Sequence, residues 1–120
     1  GDPNLSRDVI YVKDVAHAFY LAMKSEQTYG LYNMTSGRGV TLQEQAEVIR
    51  DLWAPSENQK SKITYKPEIV NNTPSYLFSM EKAKYDFGFV PKYADFRTMM
   101  TDYKKDLDRN KYQELFNYVK

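Results

Sequence analysis

The sequence predicts an α/β fold: a small three-stranded sheet combined with four or five helices. Three features carry that expectation. Short β-prone runs occur at 9–12, 31–34 and 62–66, stretches with helical apolar spacing lie between and after them, and Gly, Pro or Ser punctuates nearly every junction. With 120 residues and 42% hydrophobic content the chain can bury one modest core, so residues 1–120 read as a single domain.

In "RDVIYVKDVAHAFYLAM", residues 7 to 23, the β-prone run Val9, Ile10, Tyr11 and Val12 comes first. Val15, Phe19, Ala22 and Met23 then recur at helical intervals, which predicts a helix over about 14–25 with Asp14 placed to accept first-turn amide hydrogens. "GLYNMTSG" predicts a second strand over 31–34, bounded by Gly30 and a turn at 36–39. "TLQE" at 41–44 has capping-box spacing, and Leu42, Ala46, Ile49 and Trp53 extend it into a helix over 41–53, with Trp53 closing its end against the core.

"APSENQKS" at 54–61 is a surface loop, and "KITYKP" alternates as a half-exposed strand ended by Pro67. After the irregular "EIVNNTPS", Ser79 is placed to cap a helix through "MEKAKYDF", Gly88 to stop it, and Pro91 to prevent its continuation. Phe96, Met100, Tyr103 and Leu107 form a core stripe on a last helix beginning near Asp95, with a break around Asn110. Leu115, Phe116 and Val119 add an apolar patch on the C-terminal segment. Three short strands leave edges unpaired, which points to a part of something larger.

Composition narrows function by exclusion. A net charge of +1, from 17 basic and 16 acidic residues, produces no long-range field toward nucleic acid or an anionic membrane surface. The chain has no cysteine and one histidine, which argues against disulfides, thiolate sites and an imidazole metal cluster. No run approaches the roughly 20 apolar residues that span a bilayer, and "GDPNLSRD" lacks a signal-peptide core, so a soluble, cytoplasmic chain is expected. The 11 Tyr and 6 Phe suggest rings packed at a wet rim, either a ligand cleft or a partner surface.

Few residues invite chemistry. His17 has no acid or nucleophile in sequence range and reads as solvent-facing or packed. Tyr20 and Lys24 have a Tyr-x-x-x-Lys spacing that common residues on a surface helix reach by coincidence. "TSGRGVT" at 35–41 could cradle an anion before a helix, or serve only backbone needs. Arg7 is a planar cation able to grip two oxygens; by spacing alone, a surface pair with Asp8 or Asp14 is the favoured explanation.

Read together, "RDVIYVKDVAHAF" at 7–19, "GLYNMTSGRGVTLQEQAEVI" at 30–49 and "SMEKAKYDFGFVPKY" at 79–93 resemble the C-terminal part of the extended short-chain dehydrogenase/reductase family, the NAD-dependent nucleotide-sugar epimerases and dehydratases. The resemblance implies the substrate-binding portion of a Rossmann-type epimerase. Arg7 would contact the diphosphate of a nucleotide sugar, and Tyr11 would help line the pocket where relatives carry an aromatic at position 9, although a packed core tyrosine is the reading its own pattern favours. Asp8 would tie down the strand-to-helix junction.

Three family features are absent. The only Gly-x-Gly is Gly37 to Gly39, in the wrong block for a dinucleotide loop; Tyr20 and Lys24 lie on a different helix from the family's catalytic pair; and Pro74 and Ser75 stand where an arginine is expected. Lys62 and Lys66 offer only point charges in its place. The resemblance therefore implies no catalytic or cofactor-binding residue here, with NAD held by the parent protein's N-terminal Rossmann half. That half and a nucleotide sugar are the expected partners, with self-association of the chain alone. An alternative is a non-catalytic or regulatory relative that binds a metabolite or protein.

Overall fold

The computed structural model describes residues 1–66, 68, 69 and 73–113. Its elements run β1 (Ser6–Asp8), α1 (Val12–Lys24), β2 (Gly39–Thr41), α2 (Leu42–Trp53), a short 3₁₀ turn at Glu57–Gln59, α3 (Glu81–Phe87) and α4 (Phe96–Asp108). β1 and β2 pair antiparallel in the register Ser6↔Thr41, Arg7↔Val40 and Asp8↔Gly39. They approach closely: a methyl group at Gly39 would run into Ser6 Oγ.

The expected three-stranded sheet is corrected to two strands among the described residues. The run at 9–12 is not a strand. Tyr11 is buried, and its carbonyl accepts the amides of Asp14 (2.9 Å) and Val15 (3.1 Å), so helix begins at Val12 despite the β-branched composition. Neither 31–34 nor 62–66 carries a ladder, because no described strand lies beside them, and Leu31 is 94% exposed.

The helices follow local chemistry more closely. Thr41 Oγ1 accepts the amide of Glu44 (3.0 Å) at the start of α2, while the Glu44 carboxylate turns toward Arg38 (3.5 Å) instead of reaching back to Thr41. The carbonyls of Leu5 and Pro3 take the amides of Leu42 and Gln43, both at 3.0 Å, so the N-terminal segment completes the cap. Asp95 caps α4 through the amide of Thr98 (2.9 Å). Gly88 ends α3 with φ +69°, a left-handed turn that sends Phe89 into the interior. Asn110, at φ 53°, lies beyond the end of α4, near the expected break. The expected apolar patch at Leu115, Phe116 and Val119 lies outside the described residues.

Two apolar clusters make the core. One packs Tyr11, Val40, Val48, Phe96 and Met99 between the sheet, α2 and α4; the other packs Ala18, Ala83, Phe87 and Phe89 between α1 and α3. Phe96 belongs to the core as its spacing predicts, but Tyr103 is exposed, and Trp53 stays partly open with its ring 6.4 Å from that of Tyr103. Asp14 joins the two sides. It is 2% exposed and does not cap its own helix; its two oxygens accept the amides of Lys92 and Tyr93, each at 2.9 Å.

Candidate functional site

Arg7 lies half-buried in the middle of β1, where alternation turns it and Asp8 to opposite faces. Its Nη1 donates to the carbonyls of Ser6 (3.1 Å) and Pro74 (3.0 Å), and the guanidinium stands 5.2 Å from the centre of the Tyr76 ring. Among the described residues no carboxylate pairs with it, so neither Asp8 nor Asp14 neutralises the charge. Tyr76 in turn packs against Phe78, ring centres 5.3 Å apart, and both rings are exposed. The face is thus a cation seated on the Tyr76 ring, with Phe78 packed beside that ring.

The segment that forms this face is the one where the sequence lacks the expected arginine. Pro74 and Ser75 do come alongside Arg7, and Ser75 Oγ accepts the amide of Ser6 at 2.9 Å. The acceptor at position 74 is a backbone carbonyl, which any residue would offer there; what the segment lacks is a cationic side chain at 74 or 75. Asp8 holds the same segment from its C-terminal side, accepting the Phe78 amide at 2.9 Å. Its other oxygen lies 3.3 Å from the Ser36 amide and 3.2 Å from the Ser36 hydroxyl. Asp8 is therefore structural, as its place in the sequence suggests, but the segments it joins are β1, the 35–38 turn and residue 78.

Tyr11 does not stand on that face. It is 6% exposed in the first core cluster, its ring edge-on to Tyr93 at 5.0 Å, and its hydroxyl donates to Asp102 at 2.9 Å. Burial first, and then the Asp102 carboxylate, push its hydroxyl well above the usual tyrosine range. Lys13 bridges Asp102 and Asp106, lying 2.6 Å from Asp106. Their hydrogen bonds hold the ammonium above its ordinary range. Lys13 also draws Asp102 down and, with Tyr112 at 2.9 Å, lowers Asp106 to about 2. Side chains 89 to 93 positions apart thus tie α1 to α4.

The remaining motifs fall elsewhere. His17 is exposed on α1, and Lys24 Nζ donates to the Tyr20 hydroxyl (2.9 Å) as an exposed surface pair. The 35–38 turn is occupied by its own groups: Ser36 Oγ bonds the Arg38 backbone, and a side chain at Gly37 would meet the Met80 methyl at 3.0 Å. Arg38 reaches Asp95 at 3.0 Å. The glycines at 37 and 39 therefore pack against neighbouring side chains. Among the described residues no group of three or more potential ligands could hold a metal ion, and no helix is long and apolar enough to cross a membrane.

Hollows of about 390 Å³ beside the start of α4 and about 320 Å³ between α2 and residues 63–66 both exclude Arg7. Sequence reading missed Tyr76, Lys13 and Asp102. The pairing of Arg7 with Tyr76 spans most of the chain, and no local period marks it.

Comparison with known proteins places this arrangement. No family model matches the chain. A UDP-glucose 4-epimerase of Halalkalibacterium halodurans is 31% identical over 105 residues, covering 82% of this chain and 29% of the relative. One from Corynebacterium glutamicum is 28% identical over 106 residues, covering 84% and 30%. The chain is thus similar to the C-terminal part of sugar-nucleotide epimerases, in agreement with the resemblance of its three sequence blocks to the extended short-chain dehydrogenase/reductase family. A dTDP-4-dehydro-6-deoxyglucose reductase of Escherichia coli is 26% identical over 91 residues, 76% of this chain and 28% of the relative. The structure of RMD from Pseudomonas aeruginosa, complexed with NADPH, superposes with a TM-score of 0.65 at 20% identity over 88% of this chain and 34% of that one. The chain thus spans about three-tenths of the length of the curated relatives it matches. Within the family frame, β1 and α1 carry the Arg-Asp block, the 31–53 region the Tyr-Asn and Thr-capped block, and α3 the Ala-Lys block.

Proposed function

We propose that this chain is the substrate-side part of a sugar-nucleotide epimerase, dehydratase or reductase, and that Arg7 holds the ligand's diphosphate. The observation that carries the reading is the Arg7 guanidinium itself, half-buried, backed by Tyr76 and lacking an acidic partner among the described residues. Its hydrogen bonds among those residues engage only Nη1, which leaves Nε and Nη2 to meet two anionic oxygens side by side. Tyr11 supports the face indirectly, by fixing the junction of β1 and α1 from the core. In this reading the chain contributes orientation, holding the leaving diphosphate so that the sugar is presented for chemistry carried out elsewhere.

The hydride chemistry, and the NAD that supplies it, belong to the parent protein's dinucleotide-binding half. That half docks on the exposed apolar stripe Val12, Ala16, Phe19 and Met23 of α1. Without it, the chain pairs with a second copy through the same surface. The chain alone turns over no sugar nucleotide.

Isothermal titration with UDP and UDP-glucose tests the reading. Arg7→Ala lowers affinity about tenfold, and Arg7→Lys recovers part of it, since a bidentate charged contact is worth about 1.5–3 kcal/mol. Equal affinity in all three proteins sinks the assignment, as does epimerase activity or NAD binding by the chain alone.

The absence of an arginine at 74 or 75, where a second cation is expected, favours one other reading. It is a non-catalytic relative whose cleft binds a metabolite or a protein. A parent protein carrying an intact glycine loop and Tyr-x-x-x-Lys pair favours the enzyme; their loss favours the binding module.

A further inference from the structure

Arg7 and Asp8 are adjacent, oppositely charged and unpaired with each other. The Asp8 carboxylate is engaged on the far face of β1 by the Phe78 amide at 2.9 Å, the Ser36 amide at 3.3 Å and the Ser36 hydroxyl at 3.2 Å. Segment 74–78 carries the two groups that orient Arg7, the Pro74 carbonyl and the Tyr76 ring. It is fastened to β1 at two points, Ser75 by the Ser6 amide and Phe78 by Asp8. Tyr76 lies between those fastenings, in an exposed stretch where its ring meets Phe78 and Arg7 and is not sealed into either core cluster.

We propose that Asp8 is a positioning residue for Arg7: by holding the Phe78 amide and the Ser36 turn, it keeps Tyr76 and the Pro74 carbonyl against the guanidinium and keeps its own charge away from it. This rests on the reading of Arg7 as the ligand-holding cation. The device separates two jobs within one dipeptide. A carboxylate satisfied by neutral donors fixes the frame, and the neighbouring cation keeps its charge for an external anion. Replacing Asp8 by asparagine sets an amide N–H against one of three N–H or O–H donors, and the fastening at Phe78 or at Ser36 is lost.

The test uses the 120-residue chain with a ligand-free and a ligand-bound measurement. In nuclear magnetic resonance, Asp8→Asn lowers protection of the Phe78 or the Ser36 amide about tenfold and moves the Arg7 guanidinium signal toward that of free arginine, while the thermal midpoint read by Trp53 fluorescence changes little. In titrations with UDP, Asp8→Asn weakens binding about fivefold, and adds no further loss in the Arg7→Ala background. An Arg7 signal unmoved by Asp8→Asn overturns the proposal, as does an equal loss of UDP affinity with and without Arg7. If the signal moves while Arg7→Ala leaves UDP affinity unchanged, or UDP does not bind at all, the positioning role stands and the ligand-holding reading of Arg7 fails. Should Asp8→Asn not fold, Ser36→Ala takes its place, removing one hydroxyl from the carboxylate; a smaller shift of the Arg7 signal in the same direction is expected, and no shift overturns the proposal.

Discussion

On the α2–α4 side of the molecule, apolar residues that reach the surface, such as Trp53 and Tyr103, partly cover one another, and Lys13, Asp102 and Asp106 tie α4 to α1. On the α1–α3 side, Phe19, Met23, Leu31 and Tyr85 stand largely free, Met23 at 84% exposure, and the interior depends on few large side chains. One region is closed by its own residues. The other presents an apolar face of the kind that interaction sites show. Stability and association should therefore respond to different substitutions in the two regions.

The largest effect is expected where the open side has least to spare. Phe89 is 0% exposed and fills the junction of α1 and α3. Phe89→Ala should cost about 3–5 kcal/mol, most of the stability of a domain this small, and urea titration should show the midpoint collapse toward zero denaturant. On the closed side, Lys13→Met leaves Asp102 and Asp106 facing each other without their shared cation. A fall of about 5 °C in the thermal midpoint at neutral pH is expected.

The same tie sets a pH window. Asp106 titrates near 2 in the folded chain, below the ordinary value near 4, because Lys13 and Tyr112 hydrogen-bond its charged form. Its contribution is present above about pH 4 and lost as pH falls through about 2. Lys13 is shifted up, so its contribution is complete below its ordinary value and lost only in strong alkali. A thermal midpoint that stays level from pH 5 to 9 and drops between about 4 and 2, with a smaller drop in Lys13→Met, bears this out. The smallest effect on stability belongs to the open face: Phe19→Glu with Met23→Lys should move unfolding by less than about 0.5 kcal/mol. Sedimentation velocity should nonetheless show the pair abolishing association of the chain with itself; an unchanged profile removes that face from the partner assignment.

Local chemistry was legible in the sequence, and partnerships were not. Thr41, Asp95 and Gly88 act on backbone groups within a few residues, so their neighbours in sequence reveal them. α1 is apolar on more than one side, and periodicity could not say that Ala18 would face inward while Phe19 and Met23 face out. Strands need neighbours, and the runs at 31–34 and 62–66 have β-prone composition with no described partner. Arg7 was found through resemblance, whereas the Tyr76 ring beneath it depends on a contact across 69 positions. Tyr11 enters the pocket reading through its place two residues past Val9, and its ring lies in the core, as its own pattern favours, where Tyr93 and Asp102 receive it.

Tyr11 and Lys13 grip Asp102 across 91 and 89 positions, and Asp14 grips the amides at 92 and 93 across 78 and 79. Both ends of the described chain are thereby clasped together, with the exposed 55–59 turn hanging from the loop they close. Closing so long a loop is slow relative to forming local helices, so assembly of this clasp is a late event in folding. A single proteolytic cut within 55–59 would sever the polypeptide yet leave the clasp intact, and the two pieces would remain one particle.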